Sequence, residues 1–152
     1  MAHMSTYYQD LVAFHNKYDI MYDGRPRLLP RDLRTFRSTF LEEELSEYLT
    51  AVSHAEIAVH KGEDPAIHLA DALDALVDLV YVAIGTAVFH GFDFPEAWRR
   101  VHHANMTMKR RANDAGESKR ASAYDVVKLP TFTPPDHLDL VSDHAHKTTV
   151  DT

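Results

Sequence analysis

The sequence predicts an all-α protein, a bundle of four to five helices followed by an extended C-terminal arm. Three observations carry that expectation. Apolar residues recur at helical spacing in four successive segments, recognisable helix starts precede three of them, and no strand pattern is long enough for a sheet. At 152 residues the chain has the length of one domain with a core of its own.

The first helix is expected from about Ser5 to Tyr18, where Tyr8, Leu11, Val12 and Phe14 follow a Ser/Thr cap candidate. Asp23-Gly24-Arg25-Pro26 breaks it, and Pro30 limits the next start. A long helix follows from about Asp32 to Lys61, with Phe36, Phe40, Leu41, Leu45, Tyr48, Leu49 and Val52 as its apolar stripe and Gly62 beyond its end. Asp64 and Pro65 open the third helix as cap and first residue. That helix runs to Gly91 and is apolar on nearly every face from Ala75 to Phe89, the signature of a bundle centre or an oligomer interface. Asp93 and Pro95 open the fourth, which carries Ala97, Trp98, Val101, Ala104 and Met108. From Ala112 onward prolines and short β-like pieces such as Ala123 to Val127 replace the helical pattern, so an arm packed on the bundle or on a neighbouring subunit is expected.

Composition narrows the function. A net charge of −7 argues against a general nucleic-acid binder, which needs a basic face to neutralise phosphates. The chain has no cysteine, which rules out disulfides and thiolate metal sites and suits a reducing cytoplasm. No signal peptide is evident, and no uninterrupted apolar run approaches the roughly 20 residues that cross a bilayer, so no membrane partner is expected. Met1 to His3, ahead of Met4, have the look of a cloning remnant and are set aside.

The chemistry lies in the acids. Glu42, Glu43, Glu44 and Glu47 crowd one stretch of the second helix, with Glu44 bordering the apolar stripe. Asp71, Asp74 and Asp78 share one face of the third, and Asp78 interrupts the run Leu76 to Val82, which would otherwise be pure core. A glutamate run alone is commonly a solvated face. An uncompensated buried carboxylate costs several kcal/mol, however, and two such anomalies on consecutive helices call for a common counter-ion. Carboxylates from facing helices suit Mg²⁺, with Mn²⁺ as a substitute, and Mg²⁺ shares its shell with substrate phosphates. A negatively charged protein can recruit a triphosphate through such ions.

Glu43-Glu44-Leu45-Ser46-Glu47 is an E-E-x-x-E motif, followed about thirty residues later by an acidic pair in Asp74-Ala75-Leu76-Val77-Asp78-Leu79-Val80-Tyr81. This arrangement resembles the all-α NTP pyrophosphatases: MazG, the dimeric dUTPases and the phosphoribosyl-ATP pyrophosphohydrolases. It is most similar to the short MazG-like proteins of bacteriophages, including the MazZ type that hydrolyses dGTP and dATP. The resemblance extends through Val101 to Met106, Asp125 to Lys128 and Pro134 to Asp136.

The resemblance implies a MazG-like bundle over residues 5–111 and an arm over residues 112–152. It implies Glu44, Glu47 and Asp78 as metal ligands, and Glu43 as a further ligand or the base that orients water. Ala75 stands where the family's E-x-x-D places its glutamate, so Asp74, one residue earlier, is assigned that role. Asn105 matches the family's asparagine ahead of the phosphate-binding lysine, but Met108 fills the lysine slot. Lys109 or Arg110 is then expected at the phosphates, with Lys119, Arg120 and Lys128 as candidates for contacts across a subunit boundary. Asp19 and Tyr22 are candidates near the base or sugar.

The implied reaction is Mg²⁺-dependent hydrolysis of an NTP or dNTP to the monophosphate and pyrophosphate, with a purine preference (dGTP, GTP or dATP), in a bacterial or phage-infected cytoplasm. The rivals are a phosphoribosyl-ATP pyrophosphohydrolase, a dUTPase-like enzyme, and a helical interaction protein whose acids only solvate it. A di-iron bundle is disfavoured, since no glutamate has a histidine three residues on. His102 and His103, being adjacent, point about 100° apart and do not chelate one ion together. His144 and His146 read as surface residues. A third helix apolar all round cannot be buried by one chain, so a homodimer, or a tetramer of dimers, is expected.

Overall fold

The computed structural model describes residues 6–142, so the readings placed on Met1 to His3 and on His144 and His146 lie outside the described residues. The chain forms two compact units, one through Phe92 and one from Asp93.

The first unit contains α1 (Tyr7–Lys17), α2 (Arg31–His60) and α3 (Ala66–His90). A capping box starts α1: the Gln9 amide donates to Thr6 Oγ1 at 3.3 Å and the Thr6 amide to Gln9 Oε1 at 3.0 Å. α3 opens one residue later than the Asp64-Pro65 signal suggests, with Pro65 in the cap position and Asp64 Oδ1 accepting from the Ala66 amide at 3.0 Å. Gly91 ends α3 in the left-handed region at φ 72°, and a Cβ there would stand 2.9 Å from the Gly24 carbonyl oxygen, so only glycine fits.

α2 and α3 form an antiparallel hairpin. Arg37 near the start of α2 meets Val82 and Thr86 late in α3, whereas His54 near the end of α2 meets His68 early in α3. The buried residues of α2 include Arg37, Glu44, Ala51 and Ala58 at intervals of seven, with Ala55 beside them, and Ala75, Val82 and Phe89 repeat the interval on α3. A seven-residue period keeps one seam facing a partner, and alanine lets the backbones approach closely. α1 packs on α3 through Leu11 and His15, both buried.

This seam differs from the stripe expected on α2. Phe36, Leu45, Leu49 and Val52 are exposed, because the small residues, not the large ones, face α3. Asp78 is likewise exposed rather than core, and its neighbours Val77 and Val80 are 55% and 50% exposed. The apolar excess of α3 thus lies partly on a surface that is exposed among the described residues. By length and composition α3 is also the one helix among the described residues that meets the requirements of a membrane span. Asp71, Asp74 and Asp78 on one of its faces would be costly in a bilayer.

The second unit contains α4 (Phe94–Thr107), a two-stranded sheet of β1 (Lys109–Arg111) and β2 (Val126–Lys128), and the single turn α5 (Leu138–Val141). Asp93 caps α4 by accepting from the Glu96 amide at 3.1 Å, with Pro95 in the first turn, as the sequence indicates. The segment expected to be an extended arm is folded locally. Its strand β2 pairs antiparallel with β1, and Arg100 holds α5 by a bidentate bond to Asp139 at 2.6 and 2.8 Å.

Candidate active site

Glu44 is the centre of the acidic group. It occupies a seam position of α2, is 7% exposed, and its Oε2 has no hydrogen-bond partner. Burial pushes its carboxyl above the usual range, and the charges of Glu47, Asp78, Glu43 and Asp74 push in the same direction. The structure therefore brings together the five acids singled out on the two helices: Glu43, Glu44 and Glu47 from α2, Asp74 and Asp78 from α3. Glu44 alone is buried, while the other four are exposed around it. Alongside runs a groove of about 320 Å³ between the helices, lined by Glu47, Thr50 and His54 of α2 and by Asp71 and Asp74 of α3.

Two turns before Glu44 on the same seam lies Arg37, 8% exposed. Its Nη2 donates to the Val82 carbonyl at 2.7 Å and its Nε to Thr86 Oγ1 at 3.1 Å. His15, 2% exposed, lies against Phe89 with ring centroids 4.5 Å apart and planes tilted at 53°, its Nδ1 unpartnered, and burial and then the Arg37 charge hold its pKa below the ordinary value. Sequence reasoning passed over both residues. The seven-residue interval from Arg37 to Glu44 to Ala51 is the signal that would have found Arg37.

Asn105, Lys109, Arg110 and Lys128 belong to the second unit. Asn105 is exposed on α4. Lys109 and Lys128 are direct cross-strand partners, and both ammonium groups stand over the Phe132 ring, at 5.8 and 4.3 Å. Arg110 is engaged elsewhere, forming two hydrogen bonds to Glu117 at 2.8 and 3.0 Å that hold the Glu117 carboxyl down at about 2. Arg120 pairs with Asp125 at 3.0 Å. Tyr22 has a structural task, since its hydroxyl donates to the Arg25 carbonyl at 2.7 Å and its ring lies under the Arg27 guanidinium at 3.5 Å.

The donor set suits a hard divalent cation. It consists of carboxylates alone, one of them buried with an oxygen unpartnered and four like charges around it, an arrangement that a bound cation relieves without protonating Glu44. As placed, no three acidic or imidazole side chains among the described residues form a ready-made cage, so binding must draw the carboxylates inward by rotamer changes.

A model of the phosphoribosyl-ATP pyrophosphohydrolase family matches residues 13–105, which include all five acids and Asn105 but end before Lys109. No curated protein matches the chain. The match spans well over half the sequence and falls on the hairpin that gathers the acids: the chain belongs to the phosphoribosyl-ATP pyrophosphohydrolase family, a MazG-like group of all-α pyrophosphohydrolases, and is a hydrolase acting on phosphoric anhydride bonds.

Proposed function

We propose that the protein hydrolyses a purine nucleoside triphosphate to its monophosphate and pyrophosphate, with Mg²⁺ as cofactor and Mn²⁺ as its substitute. The observation that carries this reading is the unpartnered, buried Glu44 carboxylate ringed by four further acids. Glu44, Glu47, Asp74 and Asp78 would hold the metal. When bound, Mg²⁺ supplies positive charge that offsets the acids, attracts the triphosphate and polarises the phosphoryl oxygens.

The remaining work belongs to the side chains. Glu43, exposed beside Glu44, accepts the proton of the attacking water, with Glu44 as the other candidate base. The water oxygen bonds to the α-phosphorus as the bond to the bridging oxygen breaks, and pyrophosphate leaves with that electron pair. Lys109 and Lys128 are the candidates for phosphate contacts, in preference to Arg110, whose guanidinium already has a carboxylate. Asn105 is proposed as a further substrate contact. Catalysis of this kind is chiefly positioning and electrostatics.

We further propose that the chain acts as a homodimer, or as a tetramer of dimers. Leu45 and Leu49 on α2 with Leu69, Leu73 and Leu76 on α3 are all exposed, and a second copy packed on them would bury these apolar side chains. Light scattering after size exclusion, with Leu73→Glu as the disrupting variant, tests that assembly.

Phosphoribosyl-ATP, itself a purine triphosphate, is the second reading, favoured by the family match. Pyrophosphate release is measured for the eight common NTPs and dNTPs and for phosphoribosyl-ATP, with Mg²⁺, alongside Asp78→Asn and Glu44→Gln. Release from a purine subset, lost in both variants, supports the proposal. Release from phosphoribosyl-ATP alone selects the second reading. Turnover that is indifferent to both substitutions overturns the assigned site.

A further inference from the structure

Beyond the five acids, α2 and α3 bring two imidazoles against each other. The ring centroids of His54 on α2 and His68 on α3 are 5.5 Å apart, with the planes inclined at 68°. Neither ring takes part in a hydrogen bond or ion pair within the described residues. Their backbones are held by the seam, where Ala51, Ala55 and Ala58 of α2 and Ala72 of α3 are buried on either side of the pair. His54 and Asp71, the latter one turn along α3 from His68, also line the same groove.

Two imidazoles on facing helices are a chelate for a different class of ion from the one the carboxylates suit. Mg²⁺ takes oxygen ligands, whereas imidazole selects the borderline ions of the Zn²⁺, Ni²⁺ and Cu²⁺ group. Imidazole nitrogen binds Zn²⁺ at about 2.0–2.1 Å, so two rings sharing one tetrahedral ion have centroids about 5 Å apart. The observed 5.5 Å centroid separation is close to that value.

We propose that His54 and His68 form a clamp for one borderline divalent cation of the Zn²⁺ class, bridging α2 to α3 at the end of the groove, with Asp71 and water completing the shell. Two imidazoles without a preformed third ligand make a reversible site rather than a permanent structural one. The bound ion ties the hairpin together, because a ligand that binds only the folded state stabilises it. It also adds positive charge to the groove that contains Glu47 and Asp74.

The test is binding of Zn²⁺ itself, by calorimetry and by the shift in melting temperature, to the full chain held in saturating Mg²⁺ so that the carboxylates have their own ion. Wild type is compared with His54→Ala, with His68→Ala, and with a double variant of His102 and His103 as the control for other histidines. The proposal expects affinity to fall at least about tenfold in each of the first two variants, with loss of the melting shift, and to stay unchanged in the control. Equal Zn²⁺ binding in all proteins, or none in wild type, overturns it. Circular dichroism establishes folding, and His68→Gln carries the comparison if an alanine variant does not fold.

Discussion

Arg37 and Glu44 occupy equivalent positions on α2, seven residues apart on the same buried seam, yet their surroundings are opposite. The Arg37 guanidinium donates to the Val82 carbonyl and to Thr86 Oγ1 and stands within 5.3 to 5.6 Å of the Phe36, Phe40 and Phe89 rings. Its burial is compensated within the fold by acceptors and by aromatic faces. Glu44 has an unpartnered oxygen, and its charged neighbours repel it. Both residues make the hairpin interior polar, but only one is satisfied by the chain. The difference separates a charge that the fold satisfies from one that it leaves unsatisfied. A buried carboxylate that the fold leaves unsatisfied, in a place where other carboxylates gather, is arranged for something that arrives from outside.

Removing the unsatisfied charge should have the largest effect on activity and the opposite effect on the fold. Glu44→Gln, and Asp78→Asn likewise, are expected to lower kcat by roughly a thousandfold, since several kcal/mol of transition-state stabilisation would depend on the cation proposed for them. In the absence of metal the same Glu44→Gln change should raise the melting temperature, by about 2–4 °C for each kcal/mol of repulsion relieved. Parallel activity assays and thermal melts read both effects, and a Glu44→Gln protein that melts lower without metal would place Glu44 with Arg37 among the structural charges. Arg37→Met is the reverse case. It removes the charge-assisted bonds to the Val82 carbonyl and Thr86 Oγ1, although Val82 still accepts from Thr86 Oγ1, and should cost about 1.5–3 kcal/mol in urea denaturation.

How much of this was legible in the sequence follows the same division. The helix boundaries were, because Thr6, Asp64, Asp93, Pro95 and Gly91 carry local signals that tertiary context does not override. The cluster of acids was too, since residues three and four apart on a helix must share a face. The packing surface was not. Large apolar residues suggested Phe36, Leu45 and Leu49 for the seam of α2, but alanines occupy it, and close approach of two backbones rewards small side chains over large ones. For the same reason Asp78, read as buried among valines, is exposed, as are Val77 and Val80 beside it. The pairing of Lys109 to Arg111 with Val126 to Lys128 escaped notice because three-residue strands are too short to show alternation.

The two buried titratable groups of the first unit also make opposite predictions about pH. Glu44 has a folded pKa above its ordinary value of 4.5, so from 4.5 up to that raised value the folded state binds more protons than the unfolded state. Its contribution to stability is full below 4.5 and is lost as pH rises through the folded pKa. His15 has a folded pKa below its ordinary value of 6.5, so there the unfolded state binds more protons, and stability is lost as pH falls below 6.5. Urea midpoints of the metal-free protein should therefore decline on the acid side through His15, while Glu44→Gln should lessen the opposing loss as pH rises. Saturating Mg²⁺ should abolish the Glu44 effect and leave the His15 effect intact. Sensitivity of both effects to Mg²⁺ would contradict their separation.

The smallest expected effect concerns the second unit, where the comparison between satisfied and unsatisfied charge recurs among cations. Arg110 is held by Glu117, whereas Lys109 and Lys128 are like charges directly opposite each other on two strands, an arrangement that destabilises a hairpin unless an anion lies nearby. Lys128→Ala should accordingly raise KM for the triphosphate by about tenfold, equivalent to about 1.4 kcal/mol, with less change in kcat, while leaving the hairpin as stable as before or more so. Arg110→Ala should do the reverse, loosening the turn that contains Glu117 and changing KM little. If instead Arg110→Ala raises KM and Lys128→Ala does not, the Glu117 pair must open to admit substrate, and the phosphate contact passes to Arg110.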